Sequence, residues 1–229
     1  MATTVSSVLT YTQQLAQTDA NGIGSIFGIA LYNDALQDMT RDLIERGIDA
    51  AQTQESYTTL SPSDAQPGRF LWPTDMFALK TIEIDYSAVG GQNYLQARKL
   101  DVSNLQGQTS WDWLRLNQST SSPMFTNHGD TGEIFPTPMN NCLVRIYYYL
   151  TPTEATAVSD SVTYPQTLDY RMLSAKMTSM YYKAQENPEM ALIFEQDYQA
   201  RLGKVKNILA PQSKQPITPE GLRISGWQF

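Results

Sequence analysis

The sequence has 229 residues, 41% of them apolar, enough for one substantial core or two small ones. Its net charge of −7 leaves no general basic surface to neutralise phosphates, which speaks against tight wrapping of nucleic acid. One cysteine, Cys142, excludes an internal disulfide, and nowhere do about 18 apolar residues run together to span a bilayer. The opening Met-Ala-Thr-Thr-Val-Ser-Ser-Val lacks the basic start and apolar run of a signal peptide, so a soluble protein made in a reducing cytoplasm is expected. With 13 Tyr against 7 Phe and 4 Trp, the aromatic content suits surfaces that are apolar and hydrogen-bonding at once, as interfaces are.

Residues 4 to 17 are weakly helical, and Asp19-Ala-Asn-Gly-Ile-Gly24 breaks the pattern with turn-forming residues. From Ser25, read as the cap, apolar residues recur at Ile29, Tyr32, Leu36, Met39 and Leu43. That spacing is one helix face, with Gly47 as the stop. Its outer side carries Asp34, Asp38, Arg41, Asp42 and Glu45. Residues 50 to 67 are rich in Gln, Thr and Ser and close on Ser-Pro-Ser-Asp-Ala-Gln-Pro-Gly, which reads as a long surface connection.

The period then changes to two. Ile82, Ile84 and Tyr86 fall on one strand face and Thr81, Glu83 and Asp85 on the other. Gly90-Gly91 is a turn, with a second strand expected over Leu95 to Val102. Ser110 to Leu116 predicts one or two helical turns, and Met124-Phe125, Asn127 to Gly132 and Ile134-Phe135 predict a hairpin. Cys142 to Leu150 is the clearest strand, and since neither of its faces is strongly polar, both are expected to be covered.

After Pro165 a helix is predicted with its apolar stripe at Tyr170, Leu173, Met177, Met180 and Ala184. Asn187-Pro188 then gives a strong start signal. Ala191, Phe194, Tyr198, Leu202, Val205 and Leu209 follow along one face of a helix about 33 Å long. Residues 212 to 229 have no helical period, yet they carry Leu222, Ile224, Trp227 and Phe229 at intervals mostly of two. They read as an extended arm that adds to a sheet or groove on another subunit, and these four residues are the candidate partner-binding residues.

Chemistry is sparsely signalled. His128, the only histidine, lies in a turn beside Gly129 and reads as solvent-exposed; with Asp130 it makes a spacing too common to signal a metal site. Cys142 sits in an apolar run and reads as a small buried hydrophobe. Asp34 and Asp38 share a helix face that reads as solvated rather than as a general acid/base pair. The glycines from Gly22 to Gly28 follow no strand and lack a Lys-Ser/Thr, so they form no phosphate loop. Trp111 and Trp113, without a Lys or Arg cluster, read as core or interface rather than a base-stacking platform. No catalytic residue, cofactor or metal site is assigned, and a non-enzyme is expected.

The order of elements, a helix, a long polar link, a β-rich middle and two closing helices, resembles the head-to-tail adaptor proteins of tailed bacteriophages. Phe70-Leu-Trp-Pro-Thr-Asp-Met76 is similar to the aromatic-x-x-Pro-x-Asp segment that opens their β region. Pro123-Met-Phe, Gly132-Glu-Ile-Phe-Pro-Thr-Pro138 and Leu143-Val-Arg-Ile-Tyr-Tyr148 resemble their hairpin, Pro-x-Pro turn and following strand. Tyr164-Pro165 with Leu168 to Ala184, and Ala191 to Lys206 with Tyr198, resemble their closing helix pair. The resemblance covers residues 26 to 209; the N-terminal 20 residues and the tail after Ala210 lie outside it.

It implies an α+β fold: a bundle of N- and C-terminal α-helices (1–50 and 165–209) with an inserted antiparallel β-rich segment (68–150) in one domain of residues 1–209, and an extended C-terminal arm over 210–229. It also implies a virion protein of the neck, assembled in the host cytoplasm. Its partners would be the portal protein ring, neighbouring adaptor subunits in a 12-mer and tail or nozzle proteins, with genomic DNA passing through the channel unbound and no membrane contact. The rival readings are another tail or virion subunit and, in a different class, a small-molecule-binding module or hydrolase using His128, Cys142 or a carboxylate pair.

Overall fold

The computed structural model describes residues 3–19, 21–48, 53–87, 93–100, 111–162 and 169–209. In chain order these hold helices α1 (Val5–Leu15) and α2 (Ser25–Glu45), strands β1 (Thr53–Leu60), β2 (Arg69–Leu71), β3 (Met76–Asp85), β4 (Leu95–Gln96) and β5 (Arg98–Lys99), helix α3 (Trp111–Asn117), strands β6 (Met124–His128), β7 (Thr131–Phe135) and β8 (Cys142–Leu150), and helices α4 (Tyr170–Ala184) and α5 (Pro188–Leu209). The protein is therefore mixed α+β, with five helices and two sheets among the described residues. The chain forms two compact units, one of residues 1–51 and 152–229 and one of residues 52–151. The arm expected at 210–229, with Leu222, Ile224, Trp227 and Phe229, lies outside the described residues.

In the helical unit, α1 starts at Thr4, whose hydroxyl accepts a hydrogen bond from the Ser7 amide. Its Val5, Val8, Leu9 and Thr12 form the buried face. The cap of α2 is Gly24, with no side-chain bond, and Ser25 is its first helical residue rather than its cap. Gly47 follows the last turn at φ +67, the left-handed conformation that ends helices at least cost without a Cβ. Tyr32, Leu36, Met39 and Leu43 are buried as their spacing predicts, and Ile29 is half-buried.

The central helix is α4, which buries eight consecutive residues, Met172 to Ser179, rather than one stripe. Its polar residues permit this because each is bonded. The hydroxyls of Ser174, Thr178 and Ser179 donate to the carbonyls of Val8 (3.3 Å), Ser174 (2.8 Å) and Ala191 (3.0 Å). Lys176 pairs with Glu195 at 3.4 Å and Asp38 at 3.6 Å, with its ammonium over the Tyr198 ring. Asn187 caps α5 by accepting from the Met190 amide at 3.2 Å. Ala191 is buried, Tyr198 and Leu202 join the same core, and the Tyr198 hydroxyl donates to Asp42 at 2.7 Å. The apolar faces that the pattern gives α2 and α5 thus pack into the core of the helical unit, through Tyr32, Leu36, Met39 and Leu43 of α2 and Tyr198 and Leu202 of α5.

In the β unit one sheet runs β1-β8-β3-β4 and the other β2-β7-β6-β5. Strand β8 is central, and its Cys142, Val144, Ile146 and Tyr148 are buried on one face against Leu60, Phe70, Ile82, Ile84, Phe125 and Ile134. Its other face is less covered than its apolar composition predicts: Leu143, Arg145 and Tyr147 are half-exposed. Gly132 lies opposite Phe70, where a Cβ would come within 2.3 Å of the ring, so the closeness of β2 and β7 requires glycine there.

Three expectations are corrected in this unit. The β region begins at Thr53 rather than 68, because the polar stretch read as a link pairs with β8 from Thr53↔Tyr149 to Leu60↔Cys142. Its sheet is not wholly antiparallel, since the two-residue β5 pairs parallel with β6. The strand expected over Leu95 to Val102 is two short ones in different sheets, β4 on β3 and β5 on β6, with 101 and 102 outside the described residues. Asp85, at the end of β3, is fully buried and accepts from the Ser87 amide at 2.8 Å.

Candidate functional site

The most built polar arrangement in the β unit centres on Glu133, whose side chain is 2% exposed. Strand β7 carries it inward in the run Gly132-Glu-Ile-Phe135, and three neighbours share its carboxylate. Arg115 of α3 donates Nε–H to Oε1 at 2.8 Å, Arg69 of β2 donates Nε–H to Oε2 at 3.3 Å, and His128 Nε2 lies 3.0 Å from Oε2. Burial alone would raise this carboxyl; the Arg115 hydrogen bond and the charges of Arg115, Arg69 and His128 outweigh it and hold Glu133 below the ordinary carboxylate range. Asp112 takes the Nη1 of Arg115 at 3.0 Å. Beside these groups lies an open pocket of about 480 Å³ lined by Gln66, Arg69, Asp112, Arg115, Leu116 and Thr137.

Chemically this is a clamp. A carboxylate held ionised by two guanidinium groups is a poor proton donor, and it ties β2, α3, β6 and β7 together. His128, expected as a solvent-exposed turn residue, is exposed at the end of β6 beside Gly129, and its ring is bonded to Glu133 and tilted against Trp111 at 5.7 Å between centroids. Cys142 is fully buried, as its apolar surroundings predicted, and burial pushes its thiol up to about 11, far from a thiolate nucleophile. Asp38 pairs with Arg41 and Lys176. Trp111 is half-buried against Phe135, whereas Trp113 is 51% exposed. Among the described residues no group of three or more His, Cys, Asp and Glu could hold a metal ion, and no helix is long and apolar enough to cross a membrane.

Other surfaces carry the composition of interfaces. On the outer face of the β1-β8-β3 sheet, Arg145 is bonded to Glu83 and lies over the rings of Tyr94 and Tyr147 at 4.1 and 5.0 Å, with Tyr57 directly across on β1. Tyr and Arg are the residues on which binding energy concentrates. In the helical unit, Ile26 at the start of α2 is 86% exposed, and Leu192 and Ile193 of α5 are 58% and 55% exposed. Phe27 adjoins Tyr181, which adjoins Tyr182, which stacks on Phe194, a row of rings from α2 through α4 to α5.

Sequence reasoning missed Glu133, Arg69 and Arg115. The one available signal was a charged residue inside the apolar run Gly132 to Phe135. Nothing local tied it to an arginine 64 positions earlier. The predicted partner-binding residues Leu222, Ile224, Trp227 and Phe229 are not among the described ones.

A charged cluster tied into a clamp at Glu133, beside exposed Ile26, Tyr57, Leu192 and Ile193, has the features of a partner-binding surface rather than of a catalytic centre. The SU10 adaptor protein family model matches residues 3–219, and the chain belongs to that family. It is a family of phage adaptors, which makes the protein a structural component of a bacteriophage virion that associates with other head and tail proteins. The match takes in α1 and the first ten residues after Leu209, both outside the stretch in which the resemblance was legible. Comparison with curated proteins gives no match.

Proposed function

We propose that copies of this chain close into a ring beneath the portal of the capsid and join the DNA-filled head to the tail. The observation that carries this reading is the family match over residues 3–219. The ring is twelvefold, to match a portal, and its role is mechanical and without catalysis. The acidic balance of −7 suits a conduit, since carboxylates facing a channel repel phosphates and let DNA pass. Contacts between copies use surfaces the units leave uncovered: Ile26, Leu192 and Ile193 on the helices and the Tyr57–Arg145–Tyr147 face of the sheet. Residues 1–209 act as one adaptor, and 210–229 are an arm whose Leu222, Ile224, Trp227 and Phe229 dock on the portal or on an adjacent adaptor.

The test is to mix the purified chain with the portal ring, follow its mass by sedimentation and image the product by electron microscopy. A closed ring with an open centre is expected; a chain that stays monomeric beside portal overturns the reading. Truncation at Ala210 should leave a folded chain that assembles poorly, and Trp227→Ala should weaken docking by about 2 kcal/mol or more. Unchanged assembly of the truncated chain would remove the arm from the mechanism.

A further inference from the structure

We infer that the edge of β1 left unpaired among the described residues is an acceptor site for an extended strand, and that its occupant is Leu222–Phe229 of a second copy. This rests on the ring reading above and names where one copy holds the next.

The edge is unusual in three ways. Strand β1 is eight residues long and lies at the border of its sheet, paired on one side with β8. The other border strands, β2, β4 and β5, are two or three residues long. Short edges are the usual protection against unwanted pairing, as are lysine, proline and bulges. Strand β1, Thr-Gln-Glu-Ser-Tyr-Thr-Thr-Leu, has no lysine or proline, one charge at Glu55, and an unbroken register with β8. Its Thr53, Gln54, Glu55, Tyr57 and Thr59 are exposed. A long, Thr-rich edge with a single charge and without lysine, proline or a bulge is a template for another strand.

The edge also opens onto a place for side chains. A groove of about 460 Å³ runs beside its last turn of pleat, lined by Thr58, Leu60, Gln66, Phe70 and Leu71, and Leu71 is 72% exposed. Backbone bonds along an edge supply affinity, and pockets for alternate side chains supply specificity.

The occupant follows from matching the sequence to this geometry. Leu222–Phe229 is eight residues long, as β1 is, about 27 Å when extended at about 3.4 Å per residue, and its three nearest prolines, Pro211, Pro216 and Pro219, all precede it. With period two, Leu222 and Ile224 fall on one face and Arg223, Trp227 and Phe229 on the other. One set meets half-buried Ser56 and Thr58 and the groove with Phe70 and Leu71; the other meets Tyr57, with Arg223 able to reach Glu55.

Two measurements on the full chain test this. In the first, a photoreactive benzoylphenylalanine replaces Trp227 in a 1:1 mixture of isotopically heavy and light chains, in rings verified by electron microscopy. Cross-links to residues 53–60 or 69–71 are expected, about half joining heavy to light. Rings whose cross-links fall elsewhere overturn the acceptor assignment and leave the ring reading standing; links only within one isotope overturn exchange between copies. In the second, a synthetic peptide of residues 212–229 is added to the chain while sedimentation shows it monomeric, and amide exchange is read by mass spectrometry. Exchange over 53–60 should slow at least tenfold and be unaffected by a scrambled peptide. Absence of protection at saturating peptide overturns the inference without reference to ring formation.

Discussion

At Glu133 the desolvation of a buried carboxylate is offset by two arginines and an imidazole that come from three different elements. Such a pair costs little to keep and much to break, because removing one partner leaves the others without their counter-charge. Glu133→Gln should lower stability to urea by about 2–3 kcal/mol at pH 7. Since the folded carboxyl is held below its ordinary value of 4.5, its contribution is fully present above that pH and is lost as pH falls through the lower folded value. The gap between wild type and Glu133→Gln should therefore narrow below about pH 4.5 in urea titrations; a constant gap at pH 3 would show that the charge is not what stabilises. His128→Ala removes one of three partners on the exposed side of the same carboxylate, so a loss under about 1 kcal/mol is expected. Ring assembly on portal should be unchanged, whereas a loss of assembly would point to a role for the imidazole beyond this bond.

At the level of elements, burial decides what each strand and helix contributes. Ile146 sits at 0% exposure in the middle of β8, between β1 and β3, so Ile146→Ala should cost about 3 kcal/mol through lost contacts and the cavity left behind. Tyr57→Ala, one strand away and 57% exposed, should cost less than about 0.5 kcal/mol in the isolated chain while weakening assembly. Urea unfolding of both variants checks the contrast; equal losses would mean that the outer sheet face is part of the core. Helix α4 shows why a stripe was too narrow a prediction. Its Ser174, Thr178 and Ser179 look like a solvent face, but each hydroxyl finds a carbonyl, and packing by α1, α2 and α5 closes over them.

For the whole molecule, the charge balance and the family match point the same way. A chain of net charge −7 should not retard duplex DNA in a mobility-shift assay at 150 mM salt, even when assembled into rings, because few phosphates are neutralised. Micromolar binding under those conditions would oppose a passive channel. The division into a helical unit built from both chain termini and a β unit inserted between them lets one part supply helix packing and the other supply sheet edges and faces.

Periodicity alone determined the helices after Gly24 and Asn187, the hairpin around Gly129 and the strand from Cys142, because the 3.6- and 2-residue repeats are local and the turn residues that bound them act locally. Cys142 as inert core was legible for the same reason: its neighbours in sequence are apolar. Only the tertiary structure decided that the polar stretch 53–60 is a strand, that α4 is buried on all sides over Met172 to Ser179, and that Glu133 meets Arg69 and Arg115. Each of these depends on partners dozens of residues away, and a hydrogen bond or ion pair across that distance leaves no mark on the residues beside it.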